Sequence, residues 1–160
     1  WQEQAILSAM IATHPYEEVA YDIIALDNQN QQVGSGLVGE LPESLSETVF
    51  LELLKGKFNL SVIRHTPLLN KPVKKVALCG GAGSFLIGSA AAARADFYIT
   101  GDIKYHEFFD ANDKILIADI GHYESEQFTI NLLQEFLELK FPTFAVLKTE
   151  VNTNPVRYFL

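Results

Sequence analysis

The chain is poor in cysteine, in histidine and in positive charge. One of its 160 residues is cysteine, Cys79, which excludes an intramolecular disulfide. Nothing therefore points to an oxidising compartment. Lys and Arg number 12 against 20 Asp and Glu, a net charge of −8. No basic cluster offsets that charge, so phosphate backbones are repelled and no nucleic-acid partner is expected. Anionic lipid surfaces are disfavoured on the same ground. No apolar run approaches the ~18 residues needed to span a bilayer and no signal peptide is visible, so no membrane association is expected and the cytoplasm is the expected compartment. An initiator methionine is missing too. The chain opens on WQEQAILSAM with an amphipathic helix already under way, and reads as cut from something longer.

What is present is the composition of a soluble globular protein, 48% hydrophobic and 20% charged. A domain near this length buries roughly 68–70% of its unfolded surface, enough for a proper core. Apolar residues at helical spacing predict a helix over 1–12, ended by Pro15, which disfavours helix at His14. VAYDIIALD (19–27) reads as a strand, NQNQQ (28–32) as polar loop, and the glycines and proline of GSGLVGELPE as a hinge or domain boundary. Ser46 is a candidate N-cap for a helix with Val49, Phe50, Leu53 and Leu54 on one face. A short strand follows over 59–65.

The pattern then becomes regular. Strands are predicted at 74–81, 96–102, 114–121 and 143–151. Helices are predicted at 83–95, 103–113 and 123–140. Near-continuous apolar strands alternating with helices imply an α/β fold, a mostly parallel sheet with helices on both faces. Cys79 ends one such strand, without a neighbouring cation to lower its pKa, and reads as a small core residue.

In such sheets ligands bind beyond the carboxyl ends of the strands. Three strand ends carry polar groups. CGGAGS, with Gly80, Gly81 and Gly83, permits tight turning and exposed amides that could hold an anion. It lacks the glycine at Leu86 that a dinucleotide motif needs, and Ser89 stands where a Walker motif has lysine. The alternative is a tight turn with close helix packing. At the next strand end Asp102 and His106 stand four apart, and at the one after, His122 and Glu126 repeat that spacing. On a helix start each pair shares one face. Read blandly, Asp102 is a helix cap, and GHYESE is a helix with an acidic first turn. Read together, imidazole and carboxylate at neighbouring strand ends suit zinc, iron, manganese or a similar divalent ion. His14, in the turn HPYEE, reads as structural, and His65 has no acidic neighbours.

HPYEEVAYDI, GSGLVGEL, VALCGGAGSFLIGSAAAARADFYITGDIKYHEFFDA and IADIGHYESE together resemble the Nif-three-like family, whose members also carry the name GTP cyclohydrolase 1 type 2 homologue. The resemblance covers nearly the whole chain, in order. It implies a two-lobed α/β protein with two metal ions bound between the lobes, and often a small PII/CutA-like, ferredoxin-like insert. Residues 1–36 would then be the C-terminal end of that insert, and 37–160 the C-terminal lobe carrying half of the metal site. The resemblance makes His122 and Glu126 metal ligands. Asp102 and His106 would line the cleft, as groups supporting the ligands or as a proton-transfer pair. The remaining family ligands, a paired-histidine motif and a downstream aspartate, have no match here, so the site is expected to be incomplete. Assembly from dimers to a hexamer is implied as well.

Two functions follow from these readings. One is a dinuclear metal-dependent hydrolase of cyclohydrolase type, acting on a nucleotide or another anionic small molecule, and inactive as this fragment. The other is a metal-binding regulatory or interaction protein without turnover.

Overall fold

The computed structural model describes residues 2–27 and 33–159. The polar loop expected at 28–32 lies outside the described residues, as do Trp1 and Leu160. The chain divides into two compact units, Trp1–Val33 and Gly34–Leu160.

Helix α1 (Glu3–Thr13) is the regular element found among the described residues of the first unit. The backbone turns extended at His14, as Pro15 requires. The His14 Nδ1 accepts the Tyr16 N–H at 3.1 Å, so this imidazole fixes the turn. The strand expected at 19–27 is not formed. Its β-branched and aromatic residues favour an extended backbone, but a strand needs a partner ladder, and the described residues of this unit supply none.

The described residues of the second unit build a five-stranded sheet. In chain order its elements are β1 (Leu37–Ser46), α2 (Glu47–Phe58), β2 (Arg64–His65), β3 (Pro72–Ala82), α3 (Ile87–Ala92), β4 (Phe97–Gly101), β5 (Leu116–Asp119), α4 (His122–Glu126) and α5 (Thr129–Lys140). The strand order is β1-β3-β4-β5-β2. The central strands β3, β4 and β5 are parallel, and the edges β1 and β2 pair antiparallel to them. The expected α/β fold is present, and both faces of the sheet are covered. On one face Phe50 and Leu54 of α2 pack with Val73, Val76, Phe97 and Leu116. On the other, Ile87 and Ala90 of α3 pack with Ala77, Cys79, Tyr98 and Ile117. Alternate residues of one strand thus serve opposite cores, which is why the strands read as continuous apolar runs. Cys79 is a core residue, as its strand context predicts.

Several boundaries differ from expectation. The glycine-rich stretch, expected as a hinge or domain boundary, begins where the two units divide and from Leu37 onward is strand β1, irregular in register between Glu40 and Leu45, around Pro42. Ser46 does cap α2, its Oγ accepting the Val49 N–H at 3.3 Å. The strand at 59–65 shrinks to Arg64–His65. The helix expected at 83–95 is a 3-10 turn followed by α3, closed by the left-handed Arg94. The helix expected at 103–113 is a 3-10 helix, Tyr105–Ala111, ended by left-handed Asn112. The long helix at 123–140 is two helices, broken at Gln127 and Phe128. The last strand, at 143–151, does not form, because β1 and β2 are the sheet's edges and neither pairs with it.

Candidate functional site

Parallel strands β4 and β5 end side by side, and the turns that follow them carry the polar residues. Thr100 pairs in register with Asp119. Gly101 lets the two turns meet, since a Cβ there would lie 2.9 Å from the Gly121 carbonyl and the His122 nitrogen. After β4, Asp102 adopts a left-handed conformation (φ 55). After β5, Gly121 (φ 93) turns the chain, and α4 begins at His122.

This placement changes the pairing that spacing predicted. Asp102 lies outside the 3-10 helix that holds His106, so the two do not share a helical face. Asp102 instead reaches His122: its Oδ2 stands 2.6 Å from Nδ1. On the other side of the ring, Nε2 faces Glu126 Oε2 at 3.3 Å, across one turn of α4. Asp102, His122 and Glu126 are thus brought together, whereas His106 is exposed on the neighbouring 3-10 helix. The hydrogen bond that Asp102 accepts from the ring is the main cause that raises the His122 pKa above its ordinary value. Partial burial opposes it, and the charges of Asp102 and Glu126 add to it.

The glycine loop abuts this trio. Gly81 has φ +66, and a Cβ there would lie 2.5 Å from Glu126 Oε1. Its N–H donates to Ser125 Oγ at 2.8 Å, and Ser125 Oγ donates to the His122 carbonyl at 2.7 Å. Loop carbonyls accept from buried hydroxyls, Gly81 O from Thr100 and Gly83 O from Tyr98. Burial is the main cause that pushes the Tyr98 hydroxyl up to about 12.

The trio opens on a cleft of about 830 Å³ that also takes in Arg64, Asp119, Glu124, Glu150 and Tyr158. Several carboxylates against one guanidinium make its field attractive to cations. Burial first, then the charges of Glu124 and Asp119, raises the Tyr158 pKa. Arg64, Asp119 and Tyr158 are cleft residues that spacing did not single out. For Asp119 a signal existed, because a lone carboxylate ending an apolar strand must find partners when buried. Arg64 in a short strand and Tyr158 in an irregular tail gave none.

His122 and Glu126 fit a divalent ion. Nδ1 lies against Asp102 while Nε2 faces a Glu126 carboxylate oxygen at 3.3 Å, a spacing that a proton or a cation between the two atoms would satisfy. Two donors each ~2.1 Å from one ion at a tetrahedral angle lie about 3.4 Å apart, close to this separation. A carboxylate on the far nitrogen is the usual support of a metal-binding imidazole. Among the described residues no group of three or more His, Cys, Asp or Glu side chains is arranged to hold a metal.

Residues 5–155 match the family model Duf34/NIF3 (NGG1p interacting factor 3). The chain is 35% identical to a Staphylococcus epidermidis protein called GTP cyclohydrolase 1 type 2 homolog, over 94% of this chain and 42% of that protein. It is 35% identical to the Bacillus subtilis protein of the same name, over 98% of this chain and 43% of that one. A Bacillus cereus protein related to NIF3 has a similar solved structure: TM-score 0.74, 34% identity, 98% of this chain and 44% of that one. The chain spans less than half the length of these relatives.

Proposed function

From the premise that this chain belongs to the Duf34/NIF3 family, we propose that it contributes His122 and Glu126 to a divalent-metal site serving a hydrolase in the longer protein. The observation that carries this reading is the 3.3 Å separation of His122 Nε2 and Glu126 Oε2, with Nδ1 held by Asp102. Zinc, iron or manganese would suit these donors, and about two ions per full-length chain would lower the pKa of a shared water and stabilise developing charge. Asp102 orients the ring and keeps its Nε2 lone pair free. Gly81 keeps Glu126 uncrowded. His106, outside the trio, is the proton carrier of this reading. An anionic substrate, a nucleotide or another small anion, would be held by the bound ions and not by the cleft's own acidic side chains, and the Gly81 amide is engaged by Ser125. The insert origin of residues 1–36, assembly from dimers to a hexamer and a cytoplasmic location belong to the same proposal.

Elemental analysis tests it, on this chain and on a version spanning the length of the relatives, each with and without His122→Ala. The expected result is about two divalent ions per chain in the longer protein and their loss in His122→Ala. A longer protein that is metal-free, or indifferent to His122, removes the proposal. A regulatory metal-binding role without turnover is the second reading, favoured by the family description as an interacting factor. The two separate on product formation from nucleotides, phosphoesters or cyclic amides by the metal-loaded protein.

A further inference from the structure

The 2.6 Å contact between Asp102 and His122 joins two turns that are not neighbours in sequence, and neither side chain is buried enough to hold the other in place. Something beneath them must set the distance. Asp119, the last residue of β5, is 5% exposed and accepts three hydrogen bonds, one from each turn and one from Arg64. Its Oδ2 accepts the Ile103 N–H at 3.1 Å, which fixes the turn carrying Asp102. Its Oδ1 accepts the Gly121 N–H at 3.0 Å, which fixes the turn carrying His122. Arg64, across the antiparallel β2–β5 pair, closes the frame. Its Nη1 donates to the same Oδ2 at 3.0 Å and its Nη2 to the Ile103 carbonyl at 2.9 Å. The guanidinium also lies 5.1 Å over the Phe108 ring. One carboxylate therefore ties both turns together, and one guanidinium holds it in place.

We infer that Arg64 and Asp119 are a positioning pair that decides which nitrogen of His122 carries the proton. Two carboxylates compete for the single N–H of the neutral ring: Asp102 at 2.6 Å from Nδ1 and Glu126 at 3.3 Å from Nε2. While the frame holds, Asp102 wins, the proton sits on Nδ1, and Nε2 presents its lone pair to the cleft. Loosening the frame moves the turn of Asp102 relative to the ring, whereas Glu126 shares α4 with His122 and moves with it. The proton then moves to Nε2 and the lone pair turns away from the cleft. The use of that lone pair as a ligand rests on the metal reading above; the positioning itself does not.

The two are tested apart on the metal-free 160-residue chain, by long-range ¹⁵N–¹H NMR of the His122 ring at alkaline pH, where the ring is neutral. The wild-type chain is expected to show the Nδ1–H tautomer as the major species. An asparagine amide offers one acceptor oxygen where the carboxylate offers two, so in Asp119→Asn one turn loses its anchor. Nε2–H is expected to become the major species there. Arg64→Ala, at a half-exposed side chain, should keep the fold and shift the tautomer in the same direction, and circular dichroism verifies folding for both. A folded variant of either residue that retains the wild-type tautomer overturns the inference, as does a wild-type ring already protonated on Nε2. If the tautomer shifts as expected but the longer protein binds no metal, the metal reading fails and the positioning pair stands.

Discussion

At the scale of single residues, His122 is governed by what stands on either side of its ring. Asp102 and Glu126 both favour the imidazolium, so its pKa lies above the ordinary histidine value of ~6.5. A group that binds protons more tightly when folded stabilises the native state fully below its unfolded pKa. That contribution is lost as pH rises through the raised native value. The ring is half-exposed, so solvent screens the effect. NMR titration of the His122 ring should therefore give a midpoint above that of an unstructured histidine peptide. Asp102→Asn should bring it down by removing the largest cause, and a midpoint unchanged in that variant would show that the 2.6 Å contact is absent in solution. The pair His122 and Glu126 was legible in the spacing, because both lie on one helix. Asp102 as the partner of His122 was not, because 20 residues and a whole strand separate them.

At the scale of elements, the sheet's centre is fixed by side chains shared between strand and helix. Phe97 of β4 is fully buried and meets Phe50 of α2 edge to face, with ring centroids 4.7 Å apart. Truncating it to alanine opens a cavity where strand and helix join, and should cost about 3–5 kcal/mol in denaturant unfolding. A loss under about 1 kcal/mol would mean that α2 does not pack there. Strands β3, β4 and β5 were readable as apolar runs because both faces are covered. The strands expected at 19–27 and 143–151 have similar composition and find no ladder. Composition reports that a segment tolerates an extended backbone, whereas pairing depends on which edge is free.

At the scale of the whole molecule, apolar surface remains uncovered in the second unit. Leu132, Leu133, Phe136 and Leu139 of α5 are exposed, as are Phe144 and Leu147 beyond it. Patches of this kind favour association. The chain is expected to self-associate, with an apparent mass in sedimentation equilibrium that rises with concentration. Leu139→Lys together with Phe144→Ser should suppress that rise. A monomeric mass across the range would show that the tail folds back over α5 in solution. Among the described residues no helix is long and apolar enough to cross a membrane, in keeping with the hydropathy of the sequence.

The sequence by itself determined the α/β class, the capped helix α2, the burial of Cys79 and the one-turn spacing of His122 and Glu126. Each rests on local patterning, where periodicity and capping chemistry act over a few residues. Tertiary structure alone decided that Asp102 serves His122 rather than His106, that Asp119 and Arg64 lie beneath that contact, and that Gly81 turns with a positive φ beside the Glu126 carboxylate. Those facts depend on strands β4 and β5 lying side by side with a given register. Register is a property of the paired sheet, and it is not written in the spacing along either strand.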